Sequence, residues 1–128
     1  MTITCFKDLE IWKDARELCK IIRNITSREP FYHDFRFRDQ INASSGSIMD
    51  NIVEGFERDG KKEFYQFLSI RKGSFGETRS QCYRAFDATF INQDELNDFL
   101  ERTKILGKKI GNFMNYLKNS PLTGTKYK

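Results

Sequence analysis

Only two prolines occur in the 128 residues, Pro30 and Pro121, so the stretch between them lacks the strongest helix breaker. No apolar run approaches the roughly 20 residues that a membrane span requires. The opening Met1-Thr2-Ile3-Thr4-Cys5-Phe6-Lys7-Asp8 lacks the charged-then-apolar layout of a secretory leader. Cysteine is scarce: Cys5, Cys19 and Cys82 form an odd, widely spaced set. That pattern argues against a disulfide frame or zinc site and suits idle or buried thiols in a reducing compartment. A cytoplasmic protein without a membrane partner is expected. Acidic residues are missing from one end of the chain. From Arg102 onward there are seven basic residues and no acidic one, leaving 15 basic against 18 acidic residues before it. A one-signed stretch attracts polyanions, although a solvated helix face has the same composition.

Aromatic residues are plentiful at 14%, mostly Phe, which opposes disorder, and the length suits one domain over residues 1–128. Apolar spacing predicts four helices, at about 7–27, 35–56, 61–90 and 93–118, followed by a flexible tail at 119–128. In the first, Trp12, Ala15, Cys19 and Ile22 form one stripe and Ile11, Leu18, Ile21 and Ile25 a second. Two stripes make a face wider than one packed partner needs, which suggests burial between subunits. In the second, Ile41, Ile48 and Ile52 keep helical register through the turn-prone Asn42-Ala43-Ser44-Ser45-Gly46-Ser47. Asp59 is the expected cap of the third helix. Asn92 with Glu95 three residues later makes a capping box before the fourth. Long helices joined by short turns give an all-α, antiparallel up-down four-helix bundle.

Small and polar residues interrupt two of these helices at helical spacing. Ser47, Asn51 and Glu54 share one face of the second helix; Gly73, Glu77 and Gln81, with Ser74 beside them, share one face of the third. We read them as an interhelical polar seam. Gly73 and Gly76 each cost roughly 1 kcal/mol in a helix interior, and close approach of a neighbouring backbone is the expected compensation. Carboxylates at Glu54 and Glu77 invite a di-metal reading, but that architecture calls for Glu-x-x-His, and the only histidine, His33, lies in a loop. No catalytic residue, metal or cofactor is assigned. Phosphate contact is assigned to Arg102, Lys104, Lys108, Lys109 and Lys118, with RNA or DNA as the partner. Arg71, Lys72, Arg79 and Arg84 could extend that surface along the third helix.

Three groups of residues carry a resemblance. The first is Phe6-x-x-Leu9-x-Ile11-Trp12-x-x-Ala15-Arg16. The second is Gln40 with Ser47-Ile48-Met49-Asp50-Asn51-Ile52-Val53-Glu54-Gly55. The third is Phe64-x-x-Phe67-Leu68, Gly73-Ser74-x-x-Glu77 and Gln81. Together they resemble the bacterial four-helix bundle proteins associated with intervening sequences in 23S ribosomal RNA genes. The family usually has Pro where this chain has Met49 and Leu where it has Thr78. The first difference should straighten the second helix, and the second puts a small polar group in the core. The resemblance implies a cyclic homo-oligomer, a pentamer. Relatives include accessory proteins of diversity-generating retroelements, which are strongly basic, bind nucleic acid and associate with a reverse transcriptase. A non-enzymatic scaffold binding RNA or DNA is the expectation. An adapter for a reverse transcriptase or similar enzyme, without nucleic-acid contact of its own, is the alternative.

Overall fold

A tight turn and an extended Leu9 aim the chain into its first helix: Phe6–Asp8 form a single 3-10 turn, and α1 then runs Glu10–Thr26. In this computed structural model residues 4–58 and 60–119 are described, without the side chain of Arg71. The further helices are α2 (Phe35–Phe56), α3 (Lys61–Arg71), α4 (Gly73–Asp87) and α5 (Gln93–Asn119). The chain is all-helical, with no strand among the described residues. No described helix is long and apolar enough to cross a membrane. Of the expected tail only Asn119 is described, and it belongs to α5; the rest of the tail, the stop at Pro121 and the cap at Asp59 lie outside the described residues.

Side-chain caps set two of the boundaries. Asp34 Oδ1 accepts from the Phe37 N–H at 3.2 Å and opens α2. Before α5, Asn92 Oδ1 accepts from the Glu95 N–H (2.9 Å) while Glu95 Oε1 accepts from the Asn92 N–H (2.8 Å), a reciprocal capping box. The turn-prone serine run stays helical throughout α2, whose bounds match the spacing. The expected third helix departs in two places. Lys72 interrupts it, separating α3 from α4. Gly73, Ser74 and Gly76 all favour helix weakly, and the ladder gives way where they begin. The helix also ends at Asp87 rather than near Phe90. There the Phe90 N–H reaches the Ala85 carbonyl and the Thr89 N–H the Phe86 carbonyl, both at 2.9 Å, with Thr89 at φ 63°. This is a Schellman stop with a β-branched residue where glycine is usual.

α1 lies against α2 and α5; α2 also packs on α3 and α4; α5 also touches α3 and α4. Contacts between neighbours run in opposite sequence directions. Cys19 meets Ser45 and Thr26 meets Asn42 between α1 and α2. Arg28, just after α1, pairs with Glu95 at the start of α5, while Glu10 and Asp14 near the start of α1 hold Lys109. The width of α1 is used up inside the single chain. Ile11, Trp12, Ala15, Leu18, Ile22 and Ile25 are all buried, and only Cys19 and Ile21 of the two stripes stay half-covered. A helix wedged between two neighbours needs a broad apolar face, so this width carries no argument for a second subunit.

Phe31 in the α1–α2 loop is 0% exposed and stacks on Phe90 (4.6 Å) and Phe37 (5.1 Å). It ties that loop to the α4–α5 corner. At the other end, a Cβ on Gly55 would stand 2.7 and 2.8 Å from the Phe64 ring. Here α2 and α3 need a missing side chain. The glycines expected to do this do not: Gly73 and Gly76 are exposed, and a Cβ on either meets nothing within 4 Å.

Candidate functional site

Serine, threonine and amide side chains at three- and four-residue spacing on α2 and α4 meet in the interior. Asn51 Nδ2 donates to Ser47 Oγ (3.2 Å), which shares a hydrogen bond with Ser74 Oγ (3.1 Å). One turn along, Thr78 Oγ1 donates to Ser44 Oγ (3.0 Å), with the Ser74 carbonyl equally near. Ser44 Oγ in turn donates to Gln81 Oε1. Ser44, Thr78 and Gln81 are fully buried, while Ser47, Asn51 and Ser74 are half-buried. Each such bond is worth about 0.5–1.5 kcal/mol net, but stranding one buried partner costs about 1–3 kcal/mol. The ladder thus penalises a slipped register more than it adds stability. One atom is left over: Gln81 Nε2 has no partner among the described residues.

Four of the seven residues assigned to the seam belong to it: Ser47, Asn51, Ser74 and Gln81. The other three do not. Glu54 is exposed and pairs with Arg58 at 3.4 Å, one turn along its own helix. Glu77 is exposed, and Gly73 opens α4 facing outward. The two carboxylates therefore do not face each other across a dry interior. No group of three or more His, Cys, Asp or Glu that could hold a metal ion occurs among the described residues. Sequence reasoning missed Ser44 and treated Thr78 as a polar intruder, whereas these two hydroxyls are the innermost rung. The available signal was the same spacing carried one turn back, Ser44-x-x-Ser47.

Cys19 and Cys82 are poor nucleophiles. Burial pushes Cys82 up to about 12. Burial also raises Cys19, whose Sγ donates to the Ser45 carbonyl at 3.3 Å. A thiol held protonated does no chemistry near neutral pH.

The five assigned cations fall into two groups. Lys109 bridges Glu10 (2.7 Å) and Asp14 (2.9 Å). Those hydrogen bonds raise its pKa, and Lys109 correspondingly lowers that of Glu10. Arg102 pairs with Asp98 at 2.9 Å. Lys104, Lys108 and Lys118, in contrast, are exposed at spacings of four and ten along one face of α5. None of them forms an ion pair with a described residue. A second basic strip went unassigned. Arg16, Lys20 and Arg23 share one face of α1 and, with Asn24 and Ser27, line a shallow groove beside Met49 of α2. Their four- and three-residue spacing was visible but lay among acidic neighbours, so net charge hid it. Of the cations considered along the third helix, Arg84 stacks over Phe37 (4.4 Å) and Lys72 is exposed at the helix break.

Residues 7–112 match the family described as 23S rRNA-intervening sequence protein, and the chain belongs to that family. No curated protein matches the chain.

Proposed function

We propose that this member of the 23S rRNA-intervening sequence protein family is a non-enzymatic scaffold. It is an antiparallel up-down four-helix bundle that assembles with its own copies into a ring, a pentamer, and carries RNA or DNA on its exposed cations. The observation that carries the nucleic-acid part is the row Lys104, Lys108 and Lys118, which lies on one open face of α5 with no carboxylate engaged. Such a row meets phosphates at little desolvation cost, and its affinity comes from released counterions. Arg102 and Lys109 contribute after exchanging their acidic partners for phosphate. The groove of Arg16, Lys20 and Arg23 offers a second strip.

The test is a salt titration of binding to generic single-stranded RNA and DNA. Replacing Lys104, Lys108 and Lys118 together by Gln should remove about three contacts. The slope of log affinity against log salt then falls by about 2, at roughly 0.7 per phosphate on a single strand. Binding that is absent, or independent of salt, ends this reading. Self-assembly is supported by apolar side chains left in the open, Ile70 at 76% exposed above all, and Tyr83 and Ile105. Light scattering that reports a monomer at micromolar concentration ends the ring.

The second reading, an adapter docking onto a reverse transcriptase or similar enzyme without touching nucleic acid, is favoured by the internal engagement of Lys109 and Arg102. Purified protein free of nucleic acid but carrying a stoichiometric protein partner would select it.

A further inference from the structure

Next to the Asn51 end of the ladder, α2 and α5 stand on either side of the Lys72 interruption and leave a cleft of ≈ 290 Å³. Its walls are apolar: Ile48 and Ile52 from α2, Leu68 and Phe75 flanking the interruption, Ile110 and Met114 from α5. Its floor is open because α5 presents Gly107 and Gly111 there. A Cβ at Gly107 would touch the Phe75 ring at 3.2 Å, while one at Gly111 meets nothing within 4 Å. Among the described residues, only two polar side chains border this space. Asn51 spends one amide hydrogen on Ser47 and has a second to give. Lys72 is the only charged residue among those that line the cleft. An apolar cleft bordered by two donors, one of them cationic, has the make-up of a small-molecule site.

We propose that this cleft binds a small anionic amphiphile: a short alkyl chain between the α2 and α5 walls, with a carboxylate head at Lys72 and Asn51. The occupant is anionic because no carboxylate of the described residues lines the cleft and both polar groups can donate. It is short because the volume stands at the lower end of ligand sites, roughly 300–1,000 Å³. This reading is independent of nucleic-acid binding, since Lys104, Lys108 and Lys118 take no part in the cleft.

Octanoate titrated into the full chain, followed by backbone amide NMR, tests the assignment. Saturable shifts should cluster at residues 48–52, 68–75 and 107–114. Octan-1-ol, with the same tail and no charge, should bind about two- to fivefold more weakly, the scale of one exposed charge pair. Lys72→Gln should weaken octanoate by that factor and leave octan-1-ol unchanged. Gly111→Leu should abolish both, filling the cleft at a position with open space and improving helix propensity, so the variant stays folded. Thermal unfolding checks that it does. Absence of saturable shifts overturns the proposal, as does octanoate binding that survives Gly111→Leu. Equal affinity for octanoate and octan-1-ol overturns the anionic assignment. If octanoate does not bind and Gly111→Leu lowers the assembled mass, a second copy covers the cleft and the ligand reading falls.

Discussion

Where α2 meets α4, hydroxyls and amides bond to one another, and Ser44, Thr78 and Gln81 keep almost no surface open to solvent. Where α2 faces α5 across the α3–α4 interruption, the helices instead stand apart around an open, apolar space. Missing side chains on these helices do opposite work. At Gly55 the absent side chain lets α3 pack, and the Phe64 ring fills the position a Cβ would take. At Gly111 the absent side chain leaves room that no described residue uses. Spacing and composition do not distinguish the two glycines; only the neighbour does. A close-packed contact commits its residues to the fold, and an unfilled one leaves them for something else.

The largest expected effect comes from breaking the packed side. Gly55→Ala puts a methyl group 2.7 Å from a ring that is fully buried and boxed in by Phe56 and Phe113. Overpacking costs typically 1–3 kcal/mol, occasionally more, against about 1 kcal/mol gained in helix propensity. A contact of 2.7 Å against a boxed ring stands at the upper end of that cost, so denaturant unfolding should show a net loss of up to about 2 kcal/mol. A neutral or stabilising result would mean that α2 and α3 are further apart than described.

Within the ladder the two ends should respond differently. Thr78→Val keeps the volume but removes the hydroxyl that donates to Ser44, and should cost about 1–2 kcal/mol because the site is dry. Gln81→Met removes an acceptor, but it also removes the amide nitrogen that has no partner, and Ser44 can turn to the Ile41 carbonyl at 3.2 Å. That change should stay within about 0.5 kcal/mol of neutral. Equal losses at both positions would show that Gln81 Nε2 is satisfied by a bound water. On the open side, Gly111→Ala should stabilise by up to about 1 kcal/mol, since only propensity changes. Opposite signs at Gly55 and Gly111 in the same unfolding assay would separate filled from unfilled contacts directly.

Local features were legible and register was not. The capping box at Asn92 and Glu95 needs only residues three apart, and the bounds of α2 follow from isoleucines on one stripe. The seam required a choice that spacing leaves open. Gln81 shares a helix face with Gly73 and Glu77, but equally with Ser74 and Thr78 one residue round. The hydroxyls of α2 decide for the second set. Beyond Asn51, α2 runs beside α3, whose contacting residues there are Phe64 and Phe67, so Glu54 has no inward partner and turns to Arg58. The interruption at Lys72 was hidden because no single residue forbids helix there; the weakness is shared by Gly73, Ser74 and Gly76. The width of α1 misled for a related reason, since stripe width records how many neighbours a helix has and not whose chain they belong to.

A small, pH-dependent effect concerns the ties that hold α1 to α5 around both regions. Arg28, hydrogen-bonded at 2.6 Å, holds Glu95 below the usual carboxylate value of 4.5; burial opposes that shift, and the Asn92 N–H adds a lesser lowering. A carboxylate with a depressed native pKa contributes stability that is complete above 4.5 and is lost as pH falls through the lower folded value. Stability should therefore decline more steeply below that point in the native chain than in Glu95→Gln, which keeps an acceptor for the capping box but loses the charge. At neutral pH the substitution should cost less than about 1 kcal/mol, because both partners reach solvent, and raised salt should shrink the difference. The same sign applies at the opposite end, where Lys109 lowers Glu10. Glu95→Gln unfolding curves that run parallel to the native ones from pH 6 to pH 3 would show that the Arg28 contact is not made in solution. The α4–α5 corner would then be held by the stacked rings of Phe31, Phe37 and Phe90 alone.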